Sequence, residues 1–535
     1  MCAPAWTWRG RAPAASASSS PARSGRTAPG GWLLLAGAVT LGGCASLPPP
    51  GPRPVSSAFT DTGATALGSA LAPLAAAHPG LSGIYPLSEG RDAFAARILL
   101  AQRAERSLDI QYYIWRNDLT GMLMLDALRS AAARGVRVRL LLDDNNTSGL
   151  DDILLALARQ PNVEVRLFNP FALRGWRSIG YLTDFARLNR RMHNKSFTAD
   201  NQVTIVGGRN IGDEYFGAAA DLLFVDLDVI AAGPAARAVS ADFDRYWNSR
   251  SAYPIAALVH DAAAPGPSVL AQRVAAVRAQ PAAQAYLDAI RTLPFVEQLA
   301  QRRLPLEWAA ARLVSDAPDK VLGAEQPQAR MSAALRELMG EPRRRLDLVS
   351  PYFVPGSETT QSLAAMARQG VQVRILTNSL QATDVAAVHA GYAKRRRALL
   401  QAGVTVYELR RIGGAPQQRA GSFGSSASSL HAKTFGVDGQ RIFVGSFNLD
   451  LRSIDLNTEM GLVIESAALA DKLDARLTQV TPGRAYEVRL DTDGKLIWLQ
   501  HTDGGVVRYH EEPGASVLKR AGVRVLSWLP IDWLL

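Results

Sequence analysis

His193-Asn194-Lys195, then Asp200, then Gly207-Gly208-Arg209-Asn210 form one stretch of this chain. His431-Ala432-Lys433, then Asp438, then Gly445-Ser446-Phe447-Asn448 form another. Both read H-x-K-x4-D-x6-G-[GS]-x-N, with every interval the same, and a second identical copy excludes chance. The residue types suit a displacement at phosphorus. A histidine can attack or carry a proton, a lysine is a compact phosphate-binding charge, and an asparagine amide can donate to a phosphoryl oxygen. Doubling the set supplies a nucleophile and a separate acid. His193, Lys195, Asp200, His431, Lys433 and Asp438 are therefore the candidate catalytic residues, and Asn210 and Asn448 the candidate phosphate ligands. Within this set Asp200 and Asp438 open turns and are expected to bond there rather than touch phosphate.

Outward from the motifs the whole chain repeats. Ser107 to Tyr113 reads as a strand, Met122 to Arg134 as an amphipathic helix, and Gly135 to Asp144 as a strand buried at its end. Arg345 to Ser350, Thr359 to Arg368 and Gly370 to Asn378 repeat that order. The interval from Leu108 to Leu346 equals that from His193 to His431, so the repeat spans each half. Strands alternating with helices indicate an α/β fold with parallel or mixed sheets. His-x-Lys-x-Phe in each half predicts a strand with His and Lys on one face.

The expected divisions are a signal segment over 1–43, a Pro/Ala-rich tether over 44–82, a first half over 83–253, a helical connector over 254–310, a second half over 311–480 and an extension over 481–535. Pro48 to Pro54 is expected to be extended with nothing to pack. Leu41-Gly42-Gly43-Cys44 closes an apolar run behind Arg9, Arg11, Arg23 and Arg26, the form of a bacterial lipoprotein signal with Cys44 lipidated. Cys2 is the only other cysteine, and cleavage removes it. No apolar stretch reaches the roughly 18 residues of a spanning helix.

The chain has 535 residues, enough for two ordinary domains. With 47% hydrophobic and 20% charged residues it is globular rather than disordered. The formal charge is +11, and the first 43 residues hold four arginines and no acid. The remaining excess suits an anionic substrate, a membrane surface or nucleic acid.

The doubled motif resembles that of the phospholipase D superfamily over about residues 83 to 480. Asp143 to Thr147, Arg187 to Phe197, Gly207 to Gly212, Leu376 to Leu380, Leu456 to Gly461 and the closing Trp533-Leu534-Leu535 are similar to the bacterial cardiolipin synthases within it. The resemblance implies two α/β/α sandwich halves in a pseudo-twofold arrangement that form one active site. It implies a phosphohistidine intermediate, with Lys195, Lys433, Asn210 and Asn448 on the phosphoryl oxygens, and no metal or other cofactor. Asp226 and Glu459, each beyond its Asn loop, are the candidate acids that orient the histidines; Asp228 competes with Asp226. The implied activity is phosphatidyl transfer onto phosphatidylglycerol to give cardiolipin, with phosphatidylethanolamine a second substrate candidate. The alternatives are hydrolysis of phospholipid to phosphatidic acid and a nuclease or phosphodiesterase of the same superfamily. Expected partners are phospholipids and a membrane surface, with no nucleic acid; a helper protein is left open, as is the attacking histidine. The signal-like segment ending at Cys44, which is not part of the resemblance, sets the expected location: the bacterial envelope, lipid-anchored and facing the periplasm. His389 and the run Lys394 to Arg397 are weighed as lipid contacts. Phe171 to Leu182, with Arg174 and Arg177, and the C-terminal Trp528, Trp533, Lys519, Arg520 and Arg524 are weighed as interfacial segments.

Overall fold

A computed structural model describes residues 47–49, 51–218, 225–259, 268–301, 303–323, 327–383, 385–411, 430–529 and 534–535. Residues 1–46 with Cys2 and Cys44, and also Trp533, lie outside the described residues.

Each half builds the same mixed sheet. The first holds β1 (Ser82–Leu87), β2 (Ser107–Tyr112), β3 (Arg137–Asp143), β4 (Val163–Phe168), β5 (Ser196–Ala199), β6 (Val203–Gly207), β7 (Asp228–Ala232) and β8 (Ala252–Pro254). Their order is β8-β4-β3-β2-β5-β6-β7-β1. The second holds β9 (Glu307–Ser315), β10 (Arg345–Val349), β11 (Phe353–Val354), β12 (Gln372–Asn378), β13 (Thr405–Leu409), β14 (Thr434–Val437), β15 (Arg441–Gly445), β16 (Leu449–Asp450) and β17 (Met460–Glu465). Here the order is β13-β12-β10-β14-β15-β17-β9, with β11 and β16 paired apart. β2, β3 and β4 run parallel, as do β10, β12 and β13. Parallel neighbours need a crossover, which the helices Leu119–Ala133, Asp151–Ala158, Ser357–Arg368 and Ala386–Gln401 supply. Buried ion pairs repeat as well: Arg139 meets Asp109 at 2.6 Å, and Arg374 meets Asp347 at 2.7 Å.

The halves join through equivalent strands. β1 borders β7 and β9 borders β17, and β1 and β9 pair antiparallel with Gly83 opposite Trp308. That pairing is what a pseudo-twofold axis requires of two like strands at the centre. Phe197, Ile205 and Leu140 belong to the core of the first half, and Phe435, Phe443 and Ile375 to that of the second. A third cluster mixes Val206 and Val229 with Ile442, Val444 and Leu462. Apolar side chains of both halves thus bury one another, which fixes the halves rigidly about the site between them.

Several expectations change. The segment 44–82 is no simple tether: Ala66–Ala77 is a helix capped by Thr65, and Leu67 and Leu71 pack on the first core. Arg139 also donates to Ser56 O at 3.0 Å, so this stretch is held on the first half. The connector contains the helices Ser268–Arg278, Pro281–Arg291 and Pro294–Ala300, but β9 begins at Glu307, inside its expected span. The extension continues the second sheet, through β18 (Ala485–Leu490) on β13, β19 (Leu496–Thr502) and β20 (Gly505–Tyr509). His193 and Lys195, like His431 and Lys433, precede β5 and β14 rather than lying in them. No helix among the described residues is long and apolar enough to cross a membrane.

Candidate active site

Each motif aspartate fixes the strand that carries its His-x-Lys segment. Asp200 and Asp438 have positive φ angles of 51° and 54°, in the left-handed region that asparagine and aspartate tolerate best. Asp200 accepts from the backbone N–H groups of Glu105, Arg106 and Ser107, and Asp438 from those of Arg343, Arg344 and Arg345. Both therefore clamp the start of the neighbouring strand and stay at the far end of β5 and β14. They belong to the frame and not to the reacting group.

At the near end the two halves exchange partners. His193 Nδ1 lies 2.8 Å from Glu459 Oε2, and His431 Nδ1 lies 2.6 Å from Asp226 Oδ2. Each histidine is thus bound by the carboxylate of the other half. The register explains this symmetry. Gly207 faces Asp228 on β7 and Gly445 faces Gly461 on β17, and two residues upstream of these partners stand Asp226 and Glu459. The backbone makes the same exchange: His193 N–H donates to Thr458 O, and His431 N–H to Val225 O. Asp228 does not compete, because Arg97 takes it at 2.8 Å.

The lysines complete the pocket. Lys195 Nζ donates to His193 O at 2.6 Å, and Lys433 Nζ donates to His431 O. Each charge reaches both histidines. Tyr113 meets the His193 ring edge-on at 4.9 Å, and Tyr215 meets the His431 ring at 5.2 Å. Asn210 Oδ1 accepts from Ile114 N–H, and its Nδ2 donates to Tyr215 Oη, which leaves one amide proton for a ligand. Asn448 is buried, and its Oδ1 has no hydrogen-bond partner among the described residues.

Burial sets the protonation. Desolvation first, and then the two lysine charges, hold His193 well below its ordinary pKa; desolvation and Lys433 bring His431 down to about 3. Both imidazoles are neutral at pH 7. Burial alone would raise Asp226, but its contact with His431, followed by Lys433 and Arg209, brings it to about 2. With that carboxylate ionised, Nδ1 of His431 carries the proton and Nε2 keeps its lone pair. Glu459 differs: burial pushes it up to about 7 against Lys195 and the hydroxyls of Ser446 and Ser453, which both donate to it. Desolvation likewise lowers Lys195 to about 7.

The family described as "Cardiolipin synthase, PLD-like domain" matches residues 98–247 and 335–481. The chain belongs to this family. Among its phospholipase D-like relatives, cardiolipin synthase C of Escherichia coli (strain K12) is 49% identical over 474 residues, 88% of this chain and 99% of that one. An uncharacterized protein of Helicobacter pylori (strain ATCC 700392 / 26695) is 32% identical over 91% of this chain and 97% of its own. The fold is also that of phosphatidylserine synthase from Haemophilus influenzae Rd KW20, with a TM-score of 0.54 at 14% identity, covering 88% of this chain and 100% of that one.

Within this phospholipase D-like site, sequence reasoning missed Tyr113, Tyr215, Ser446 as a donor to Glu459, and Ser453. One signal was available: Tyr215 and Ser453 each stand five residues after the motif asparagine. Other expected contacts lie elsewhere. His389 is buried against Glu512 at 3.0 Å and Tyr392, within the joint that holds the C-terminal extension. Arg396 joins the same cluster through Glu408 and Glu512, so within the run Lys394 to Arg397 it is turned inward, while Arg397 is exposed. Arg174 and Arg177 turn inward onto Asp144 and Asp151. Lys519 donates to Leu380 O, and Arg520 pairs with Glu511. Among the described residues no three His, Cys, Asp or Glu side chains gather as a metal site.

Proposed function

We propose that the chain is a phosphatidyltransferase that joins two phospholipids into cardiolipin through a phosphohistidine. The observation that carries this reading is the crossed pairing, in which two neutral histidines are each held by a carboxylate of the opposite half beside two lysines. One histidine attacks phosphorus through Nε2; the N–P bond forms and the P–O bond to the head-group alcohol breaks. The other histidine takes up a proton at Nε2 when the anionic phosphodiester binds beside it, and gives that proton to the departing alcohol. The glycerol hydroxyl of a second phosphatidylglycerol then loses its proton to the same histidine, its O–P bond forms, and the N–P bond breaks. Lys195, Lys433, Asn210 and Asn448 hold the non-bridging oxygens as charge builds on them.

The 49% identical relative that carries the cardiolipin synthase name supports this substrate class. We place the enzyme at a bacterial membrane, anchored through a lipidated Cys44 and facing the periplasm, with the two halves at 83–253 and 311–480. Purified protein incubated with phosphatidylglycerol vesicles is expected to release free glycerol and cardiolipin in equal amounts. Phosphatidic acid as the sole lipid product would make the enzyme a hydrolase. Release of nucleotides from DNA, without lipid turnover, would make it a nuclease.

A further inference from the structure

One apolar surface beside the site is left uncovered by the described residues. Trp176, Ile179, Leu182 and Phe185 recur every third residue along the helices Arg177–Thr183 and Phe185–Leu188. All four are exposed, Trp176 at 71% and Leu182 at 86%. A loose loop could expose such residues incidentally, but this segment is pinned at three points. At its start Arg174 bonds Asp144 at 2.8 Å and Asp151, and Arg177 bonds Asp151 at 3.1 Å. In the middle Phe171 is buried against Tyr181 at 5.5 Å. At its end Arg452, from the second half, donates to both Asn189 Oδ1 and Asn189 O at 2.7 Å. The side chains that could have faced solvent as cations are spent on holding the segment, and the apolar ones are held outward.

The segment is also continuous with the catalytic histidine. Tyr181 Oη donates to Asn145 Oδ1 at 2.7 Å, Asn145 Nδ2 donates to Tyr113 Oη at 3.4 Å, and Tyr113 packs edge-on against His193. A site that takes two-chain phospholipids must open onto the surface they come from, because lifting such a lipid into water exposes both chains. A rigid apolar ledge, carrying a tryptophan and joined to the site by three side chains, fits that need.

We propose that Trp176, Ile179, Leu182 and Phe185 dock the enzyme on the lipid bilayer by apolar insertion, seating the His193 side of the site at the head groups. The proposal rests on the phospholipid reading above and names the surface through which that substrate arrives. Arg174 and Arg177 take no part in the contact, because their guanidiniums are bound by carboxylates. Docking at this ledge therefore needs no anionic lipid and survives salt, unlike attraction by a basic patch.

The test uses the full chain carrying Cys44→Ser, so that acylation cannot mask the ledge. Trp176→Ser with Leu182→Ser is expected to weaken binding to phosphatidylcholine vesicles about tenfold or more, equally at low and high salt. Turnover of phosphatidylglycerol in vesicles should fall with it, while turnover of a short-chain phosphatidylglycerol below its micellar concentration stays within about twofold. Trp176→Phe with Leu182→Ile keeps the apolar area and should keep vesicle binding. Equal losses on vesicles and on the short-chain lipid would overturn the proposal, since the ledge would then serve the fold or the chemistry. Unchanged vesicle binding would overturn it too, and a wild-type dimer that the double substitution converts to a monomer would assign the ledge to a second copy instead. Wild-type protein inactive on phosphatidylglycerol both in vesicles and as the short-chain lipid, but bound to vesicles through the ledge, would refute the phospholipid reading and leave the docking surface standing.

Discussion

His193 and His431 sit in unlike environments despite the matched motifs, and small residues create the difference. At Gly208 a Cβ would collide with Asp226 Oδ1, so this position must stay open. Its counterpart Ser446 instead donates to Glu459. Gly208→Ser should push Asp226 off His431 and cost at least about a hundredfold in kcat, whereas Ser446→Ala should cost less, since Ser453 still bonds Glu459. Comparable losses in the two variants would contradict this account. His193→Ala and His431→Ala should each leave less than about a thousandth of the activity. A phosphoenzyme trapped in one variant and absent from the other identifies the attacking residue. The pH profile carries a further expectation. Glu459, raised to about 7, must be ionised to hold the Nδ1 proton of His193, so activity is lost as pH falls through that value. Lys195, lowered to about 7, must be charged to hold phosphate, so activity is lost as pH rises through it. The free enzyme should then show a narrow bell in kcat/KM centred near pH 7, and Glu459→Gln should remove the acid limb. A flat profile across that region would mean that neither group titrates in the reaction.

At the scale of the element, the two aspartates make equivalent bonds in unequal surroundings. Asp200 is fully buried and satisfies three backbone N–H groups, that of Ser107 in a buried bond. Asp200→Ala should cost about 2–4 kcal/mol by thermal or denaturant unfolding. Asp438 is only half-buried, so water can replace it, and Asp438→Ala should cost less. Burial works against the Asp438 charge, but the N–H groups of Arg345, Arg344 and Arg343 and the Arg344 charge hold its pKa below the ordinary value. Its contribution is thus present above the unfolded pKa and fades as pH falls through the folded one. Equal destabilisation by the two alanine substitutions would argue against burial as the deciding factor.

The whole molecule is one site made from two halves, and the seam carries that site. β1 and β9 pair across the pseudo-twofold, and Val206, Ile442 and Leu462 pack behind them. Val444→Asp, buried in this shared cluster, should destabilise the protein severely and abolish activity, even though no catalytic side chain is altered. The anchor proposed at Cys44 belongs to the same scale. Cys44→Ser should release much of the protein from membranes on cell fractionation, with the remainder retained through the catalytic unit. Full retention would argue against lipidation at Cys44.

The sequence determined the repeat, the α/β class and the identity of the chemical groups, because spacing and residue type are local properties. Asp226 and Glu459 could be named in advance, because the phospholipase D resemblance implies an acid beyond each Asn loop. Only the tertiary structure decided that they cross over, with Glu459 on His193 and Asp226 on His431, because that pairing depends on which halves' strands lie side by side. The helix Ala66–Ala77 was hidden for a related reason: a Pro-, Ala- and Gly-rich stretch has little apolar periodicity, and its packing comes from a partner far along the chain. Arg174 and Arg177 read as surface cations for want of their partners, Asp144 and Asp151, which lie earlier in the chain and meet them only once β3 and the loop after β4 are folded together. A charge written in a sequence has no direction; packing gives it one.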